Sequence, residues 1–383
     1  MVFITNRFSR RAAAAGFALF AALAFTETAG VADTGLPTTE GSRRVLSPAA
    51  DNTYKNRTIT EDTTWKGTVL VEGGLVLASQ ATLTIEPGTT VIFAPSSSGE
   101  KAVFLVHGRI QALGGADKPV VFTSSFAEPS KGDWQGIVIM ASEKKNSLEN
   151  CRITGAEAGV EALFSRVTLR NVNFTACGTG ARIQDCMAVM VGGGATGCGI
   201  GLNLLDTEAD VRDAVFSENG QAILSQQSSL YLGGATISGN SLEGIKIQGG
   251  RIRIVGNSIS DNGSGMTLME CEGTLSGNKI LKNSDVGVSL AKARVKATGN
   301  DISGNGKVGL RVEDGKGAAW GNTLADNGDY DLYNGGTEDF KAMGNWWGDT
   351  PAIERRIYDK RSDSSVGRVL YVPVLQAKPQ ADL

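Results

Sequence analysis

The sequence predicts an all-β fold, a parallel β-helix with three short strands in each coil of 21–22 residues and a C-terminal cap. The first observation is an apolar residue that recurs at steps of 21 or 22 over residues 153–324, namely Ile153, Phe174, Ala195, Phe216, Ile237, Ile259, Ile280, Ile302 and Leu324. A final step of 23 reaches Trp347. The second is an asparagine that follows the apolar residue by three positions in most repeats. The third is composition, since the 50 glycines and abundant Asn, Ser and Thr separate short apolar runs.

Each repeat can be divided into strands from its alternating apolar residues. Side chains alternate across a strand, so the recurring apolar residue and the one two positions earlier share the inward face. Further inward pairs follow in each coil, such as Ile245 with Ile247 and Ile252 with Ile254. The coils of 22 gain their additional residue in the turn after the recurring asparagine. A fixed long period of this kind is typical of a solenoid and not of a sandwich.

Two rows of asparagine are expected to stack inside the helix. Equivalent amides in successive coils lie about 4.8 Å apart, close enough to pass hydrogen bonds along the stack. The position before the strand holds Asn257, Asn278, Asn300, Asn322 and Asn345. The turn after it holds the predicted structural ladder of Asn219, Asn240, Asn262, Asn283, Asn305 and Asn327. We interpret both rows as structural, because inward position and turn chemistry explain them without a ligand.

The ends of the chain differ from the repeats. Arginines precede an apolar run at residues 12–25, so residues 1–32 are predicted to be a signal peptide. Residues 33–56 are expected to form a polar linker, residues 57–349 the β-helix and residues 350–383 a capping tail. We therefore expect an exported protein of the periplasm, cell surface or extracellular space, with no integral membrane segment once the signal peptide is removed.

Charge and cysteine content limit the kinds of partner and of metal site that the sequence predicts. The formal net charge of −3 argues against nucleic acid as a partner. Cys177 and Cys198 occupy the asparagine row in adjacent coils, at a separation that suits either a disulfide or two free buried thiols. No grouping of Cys and His has the spacing of a zinc site, and we predict neither a metal nor a cofactor. The acidic run from Asp326 to Asp339 matches no calcium loop and is typical of turns.

Several motifs resemble those of secreted bacterial right-handed parallel β-helix repeat proteins, the group with the pectate-lyase-type fold. They are residues 83–89 with Val91 and Phe93, residues 108 and 115–124, Trp134 with residues 136–137, the Gly-Asn repeats, and residues 344–348 with Pro351, Ile353, residues 357–359 and Pro373. The resemblance spans nearly all of the chain after the signal peptide. It implies a right-handed helix but leaves the activity open, because this fold hosts lyases, hydrolases, epimerases and passive binders.

The catalytic motifs of enzymes with this fold are missing from the sequence. It has a single histidine, His107, and neither the Asp pair and Gly-His-Gly of polygalacturonase-like members nor the Asp-Pro-His-Asp of epimerase-like members. Glu208 and Asp210 form the one outward pair of carboxylates on a single coil. We predict no catalytic residue, and the pair is the weaker alternative.

The outward positions of the third strand form a predicted binding strip. Its residues are Tyr231, Arg251, Arg253, Arg294, Lys296 and Lys316, which could hold an anionic polysaccharide through charges at coil spacing and a stacking ring. A solvated charged face is the alternative interpretation. We therefore expect a non-catalytic exported β-helix that binds a polysaccharide or serves as an envelope or extracellular scaffold. A polysaccharide lyase or glycoside hydrolase acting on acidic glycans is the second hypothesis.

Overall fold

A computed structural model of the chain describes Arg43 and residues 49–379. Three short strands per coil build three parallel stacks, which we number in chain order within a coil. The long strands Asn52–Ile59 and Thr68–Leu77 pair with each other and begin both stack 1 and stack 2. The signal peptide predicted for residues 1–32 lies outside the described residues, in which no helix is long and apolar enough to span a bilayer.

The strands of each stack have the following bounds. Stack 1 continues through Thr90–Ala94, Val120–Ser124, Cys151–Thr154, Asn173–Thr175, Gly194–Thr196, Val215–Ser217, Thr236–Ser238, Ser258–Ser260, Lys279–Leu281, Asp301–Ser303 and Thr323–Ala325. Stack 2 continues through Val103–Val106, Trp134–Met140, Ala156–Leu163, Thr179–Gln184, Ile200–Leu205, Gln221–Gln226, Glu243–Gln248, Ser264–Met269, Val286–Ala291, Val308–Glu313, Tyr330–Asn334 and Ile357–Tyr358. Stack 3 is a 14-stranded sheet of Thr63–Trp65, Thr82–Ile85, Arg109–Leu113, Lys145–Glu149, Arg166–Arg170, Met187–Val191, Glu208–Arg212, Ser229–Gly233, Arg251–Val255, Glu272–Ser276, Arg294–Thr298, Ala318–Trp320, Phe340–Lys341 and Val369–Leu370.

The predicted register is confirmed. Ile237 pairs with Ile259, which pairs with Ile280 in the next coil. Alternate residues of each strand are buried, as in Arg251–Val255, where Ile252 and Ile254 point inward. The apolar residues of all three stacks form one continuous core, because each inward side chain lies above its equivalent in the coil below.

Both asparagine rows form continuous hydrogen-bonded ladders, as predicted. In the turn ladder, the Asn262 side-chain amide donates to the Asn283 Oδ1 atom at 3.0 Å, and Asn283 donates to Asn305 at 3.0 Å. In the second ladder, Asn278 donates to Asn300 at 2.8 Å. Each inner asparagine also donates to a carbonyl of the coil below and accepts a backbone N–H, so its buried polar atoms are satisfied.

The residue before each ladder asparagine has a left-handed backbone. Gly277 and Gly299, which precede members of the second ladder, have φ of 63° and 62°. Glycine adopts this region without steric cost, which explains why the sequence repeats Gly-Asn at this corner. In the turn ladder the same conformation also occurs at residues such as Lys282, with φ of 55°.

The N-terminal end of the solenoid is closed by the first strand. Tyr54 packs on Trp65 with ring centroids 5.3 Å apart, and the Trp65 indole donates to the Tyr54 hydroxyl at 3.0 Å. Because Asn52–Ile59 is already a strand, residues 52–56 belong to the solenoid and not to the predicted linker. The sequence hid this strand because most of its side chains face solvent, which leaves no apolar alternation to recognise.

The C-terminal tail adds the last layer. After the 3-10 helix Ile353–Arg356, strand Ile357–Tyr358 pairs with stack 2 and Val369–Leu370 pairs with stack 3. Trp347 is buried against Tyr371, with ring centroids 6.2 Å apart. Trp346 lies under the tail, where the Lys378 ammonium is 5.9 Å from its ring.

Asp359 ties this layer together and makes its stability depend on pH. Burial acts to raise the pKa of Asp359, but hydrogen bonds from Arg361 and from the Val369 N–H hold the pKa below its usual value. A carboxylate whose pKa is depressed by folding stabilises the native state above its unfolded pKa of about 4, and this contribution is lost as pH falls below that value.

We expect Asp359→Asn to lower the free energy of unfolding by about 2 kcal/mol at pH 7 and by less at pH 3, because protonation of the unfolded carboxyl has by then removed part of the contribution of Asp359 in the parent. Urea unfolding at both pH values measures this difference. Asp363→Asn is the control, since that carboxylate is only half-buried at the same cap and bonds chiefly to Ser365. An equal loss at both pH values would show that Asp359 does not act through its charge.

Candidate binding groove on stack 3

The outward residues of stack 3 align in the rows predicted from the sequence. One row pairs Arg166 with Met187, then Glu208, Ser229 and Arg251. The neighbouring row runs through Thr168, Val189, Asp210, Tyr231, Arg253, Thr274 and Lys296. A flat sheet therefore displays chemically different residues at the same position in successive coils.

A shallow groove of about 630 Å³ crosses the middle of these rows. Met187 and Val189 form an apolar floor, each with 37% of its surface exposed. Glu208 and Asp210 follow in the next coil, and cationic and aromatic side chains stand at both ends. The lining residues are Lys145, Arg166, Val167, Thr168, Met187, Ala188, Val189, Glu208, Ala209, Asp210, Arg212, Ser229, Tyr231 and Arg253.

Tyr231 lies between two guanidinium groups. The Arg212 guanidinium carbon is 4.9 Å from the centre of the Tyr231 ring, and that of Arg253 is 5.8 Å away. Two residues along the same strand, Gly233 leaves room for the ring, because a Cβ atom there would lie 2.8 Å from the Tyr231 hydroxyl. The missing side chain thus lets the tyrosine ring lie along the strand toward Gly233.

The two carboxylates of the groove have different partners. Asp210 receives two hydrogen bonds from Arg212, at 2.7 Å and 2.9 Å, in a bidentate pair that raises the pKa of Arg212. Glu208 is exposed, and within residues 49–379 its carboxylate makes no hydrogen bond or ion pair. Asp210 is therefore held in place, whereas Glu208 can accept hydrogen bonds from a ligand.

The structure divides the predicted strip into parts. Tyr231 and Arg253 join the groove. Arg251 instead pairs with Glu272 at 2.9 Å, although both side chains are largely exposed. Arg294, Lys296 and Lys316 lie in later coils, beyond this pair. The strip is therefore not one uniform basic surface.

Sequence reasoning missed Arg212, Lys145 and Gly233 as groove residues. The prediction compared equivalent positions between coils, whereas Arg212 and Gly233 act along the strand on residues two positions earlier. The signal was present as Asp-x-Arg in one coil and Tyr-x-Gly in the next. Side chains two apart on a strand share a face, so these short patterns indicate contact.

The predicted cysteine pair is adjacent but unbridged in this structure. Cys177 and Cys198 are buried thiols at the base of the turn ladder, where the Cys198 N–H donates to Asn219 Oδ1 at 2.9 Å. The neighbouring Cys198 thiol raises the pKa of Cys177, whereas the Cys177 thiol lowers the pKa of Cys198. A disulfide between them stays a prediction. Burial raises the pKa of Cys151 to about 12 and that of Cys271 to about 11.

The described side chains do not form a metal-binding cluster. In the part of the chain that the structure describes, no three side chains of His, Cys, Asp or Glu are grouped closely enough to hold a metal ion. The groove itself offers guanidinium and ammonium groups, one tyrosine ring, one free carboxylate and an apolar floor. This set suits an elongated ligand with anionic groups, hydroxyls and an apolar face.

Three solved structures are similar to this chain at low sequence identity. The periplasmic alginate epimerase AlgG is 12% identical over 80% of this chain and 77% of that chain, with a TM-score of 0.32. The A-module of Azotobacter vinelandii mannuronan C-5 epimerase AlgE4 is 14% identical over 82% and 90%, with a TM-score of 0.34. The Dettilon tailspike protein is 12% identical over 84% and 61%, with a TM-score of 0.28. No curated protein sequence matches the chain.

Two family models match the chain directly. Residues 57–164 match the pectate-lyase-like β-helix domain, and residues 198–346 match the right-handed β-helix region. Both matches lie within the parallel solenoid described above, and together they cover the N-terminal coils and the ladder region. Residues 57–164 therefore carry a pectate-lyase-like β-helix domain and residues 198–346 a right-handed β-helix region, both within one parallel β-solenoid.

Proposed function

We propose that the stack 3 groove binds an acidic polysaccharide without chemical turnover, in an exported β-helix protein. The observation that supports this most directly is Tyr231, whose ring lies over the strand at Gly233 between the guanidinium groups of Arg212 and Arg253. A sugar ring packs its apolar face on an aromatic ring, while neighbouring guanidinium groups pair with its carboxylates.

The spacing of the groove fits a polymer that lies along the solenoid axis. Lys145 and Arg253 stand five coils apart in the paired strands, a distance of about 24 Å at the usual strand spacing. Between them lie the apolar floor at Met187 and Val189 and the carboxylate of Glu208. A chain of several sugars would meet cations at both ends and could donate hydroxyl hydrogen bonds to Glu208.

Glycosidase chemistry is the second candidate, favoured by the proximity of Glu208 and Asp210 on one strand. Such catalysis uses two carboxyl groups roughly 5–10 Å apart, one of which exchanges protons while the other acts as base or nucleophile. Both oxygens of Asp210 are engaged by Arg212. This pairing favours a role for Asp210 in orienting Arg212 beside Tyr231, and therefore favours binding over hydrolysis.

The binding proposal predicts that Tyr231→Ala and Arg253→Ala each weaken retention of acidic polysaccharide by about tenfold, which corresponds to about 1.4 kcal/mol. Tyr231→Phe should bind as the parent does, because stacking needs the ring and not the hydroxyl. Gly233→Val should resemble Tyr231→Ala, since its side chain takes the space of the Tyr231 ring. Affinity electrophoresis through gels that contain each polysaccharide measures these changes.

Arg251→Ala is the matched control, because this arginine lies on the same face but pairs with Glu272. Equal retention of all variants would show that the groove is not the binding site. The same incubations are followed for unsaturated and reducing ends. Their release by the parent protein, and its loss in Glu208→Gln, would replace the binding proposal with a lyase or hydrolase.

A further inference from the structure

The C-terminal end of stack 3 displays a second surface, which we call the terminal face. Four large apolar side chains are exposed there, namely Trp320 at 45%, Met343 at 41%, Leu370 at 39% and Val372 at 66%. Leu370 pairs with Lys341, which pairs with Ala318 in the coil below. The four residues therefore occupy the last three layers of one sheet.

Three of these apolar residues form a row. Trp320, Met343 and Val372 each follow a member of the Ala318–Lys341–Leu370 row by two residues, so they lie beside it on the same face. Backbone hydrogen bonds from Gly321 to Gly344, at 2.8 Å, and from Gly344 to Pro373, at 2.6 Å, continue the pairing past the strand ends. The row is thus held in register by the sheet.

Cations border this apolar row. Lys296 and Lys341 stand in the adjacent row, and the next row holds Arg294, Lys316 and Arg368, all five exposed. The carboxylates nearest to these cations in the same rows are Glu272, which pairs with Arg251 in the coil below, and Asp339, which accepts the Arg368 N–H at 2.7 Å. The terminal face is therefore strongly basic, although the whole chain has a formal net charge of −3.

We propose that the terminal face docks on an anionic phospholipid surface. Tryptophan and lysine side chains suit the boundary of a bilayer, because their apolar portions enter it while their polar ends stay among the headgroups. Basic residues near the surface are attracted to anionic lipid. A symmetric dimer through this face is less favourable, because it would place the five cations of one copy against those of the other.

The first test is co-sedimentation with vesicles, using residues 33–383 so that the apolar segment at residues 12–25 does not itself bind lipid. All strands of the structure follow residue 51, and circular dichroism of the truncated protein is the check that they form. We expect binding to phosphatidylcholine vesicles that contain phosphatidylglycerol, little binding to phosphatidylcholine alone, and release at high salt.

Variants of the terminal face separate the apolar and charged contributions. Trp320→Ser should weaken vesicle binding. The double variant Lys296→Gln with Lys341→Gln should also weaken it, by about fivefold for each lysine removed. The matched controls lie on other faces. Leu242→Ser removes an apolar side chain that is 58% exposed, and Lys279→Gln with Lys282→Gln removes the same charge.

Fluorescence gives a readout specific to this face. Trp65, Trp134 and Trp347 are buried in the core and Trp346 is partly covered, so Trp320 is the exposed indole. Vesicles that contain phosphatidylglycerol should shift the emission of the parent to shorter wavelength, and Trp320→Ser should abolish the shift. The Leu242→Ser control should retain it.

Three outcomes would overturn the proposal. They are no binding to anionic vesicles, equal binding by the terminal-face and control variants, and a protein dimer that Trp320→Ser dissociates. The last would assign the face to a second copy of the chain. Tyr231→Ala should bind vesicles as the parent does, so failure of this proposal is distinguishable from failure of the groove proposal.

Discussion

Replacing Asn283 by alanine is expected to lower the free energy of unfolding by about 4 kcal/mol, one of the largest effects of any single change in this protein. Asn283 donates to Ile259 O at 3.2 Å and to Asn305 Oδ1 at 3.0 Å. It accepts from both the backbone and the side chain of Asn262, at 3.1 Å and 3.0 Å. Alanine removes these four buried hydrogen bonds at once and leaves the Asn262 backbone N–H without its acceptor.

Urea unfolding of Asn283→Ala and of Asn173→Ala measures the effect. Asn173 is an exposed asparagine on stack 1, and its loss should cost less than about 0.5 kcal/mol. Asn283→Asp should be at least as harmful as alanine at pH 7, because a carboxylate has no N–H for Asn305 and carries a buried charge. A cost below about 1 kcal/mol for Asn283→Ala would show that the ladder contributes little to stability.

The regular coils could be predicted because each inward residue packs in the same environment as its equivalent one coil away, so the same residue types recur. Ile237, Ile259 and Ile280 pair as their spacing indicated. The asparagine ladders followed from the same argument, since an amide in a buried corner must find a partner and another amide lies directly above it.

The ends of the solenoid were harder to predict, because a terminal coil lacks a neighbour on one side and its residues do not follow the repeat pattern. The strand Asn52–Ile59 faces solvent on most sides and carries no apolar period. Asp331 was placed among turn acids, yet it is buried with 1% of its surface exposed. Its role depends on Arg356, which lies 25 residues further along the chain.

The groove was predictable only in part for a different reason. The sequence placed Tyr231 and Arg253 on one face, because strand pairing between coils alone determines which outward residues form a row. Which charges stay free depends on side-chain partners, and the sequence does not specify those. Arg251 pairs with Glu272, and Arg212 turns toward both Asp210 and Tyr231.

Asp331 ends the turn ladder, and its removal is the second change with a large expected effect. Its Oδ1 atom accepts from the backbone N–H of Asn327 at 3.0 Å and from the Asn327 side chain at 2.8 Å. Arg356 donates to the other oxygen at 2.9 Å. The carboxylate thus takes the place of the next asparagine and joins the last ladder rung to the capping tail.

We expect Asp331→Ala to cost about 3–5 kcal/mol in the last coils, because it removes the acceptor of two Asn327 hydrogen bonds and the carboxylate that pairs with the largely buried Arg356. In a solenoid each coil contacts only its neighbours, so the loss should be local. Hydrogen exchange should speed up in Tyr330–Asn334 and Ile357–Tyr358 but not near Ile237. Asp329→Ala, which removes an exposed acid from the same turn, is the control and should leave exchange unchanged.

A second variant distinguishes the unpaired charge from the lost ladder end. Arg356→Met combined with Asp331→Ala removes both charges, so the double variant should recover part of the stability lost in Asp331→Ala. Asp331→Asn retains an acceptor for Asn327 and should be less harmful than alanine. If Asp331→Ala and Asp329→Ala gave the same exchange pattern, the buried carboxylate would not be what holds the tail on the final coil.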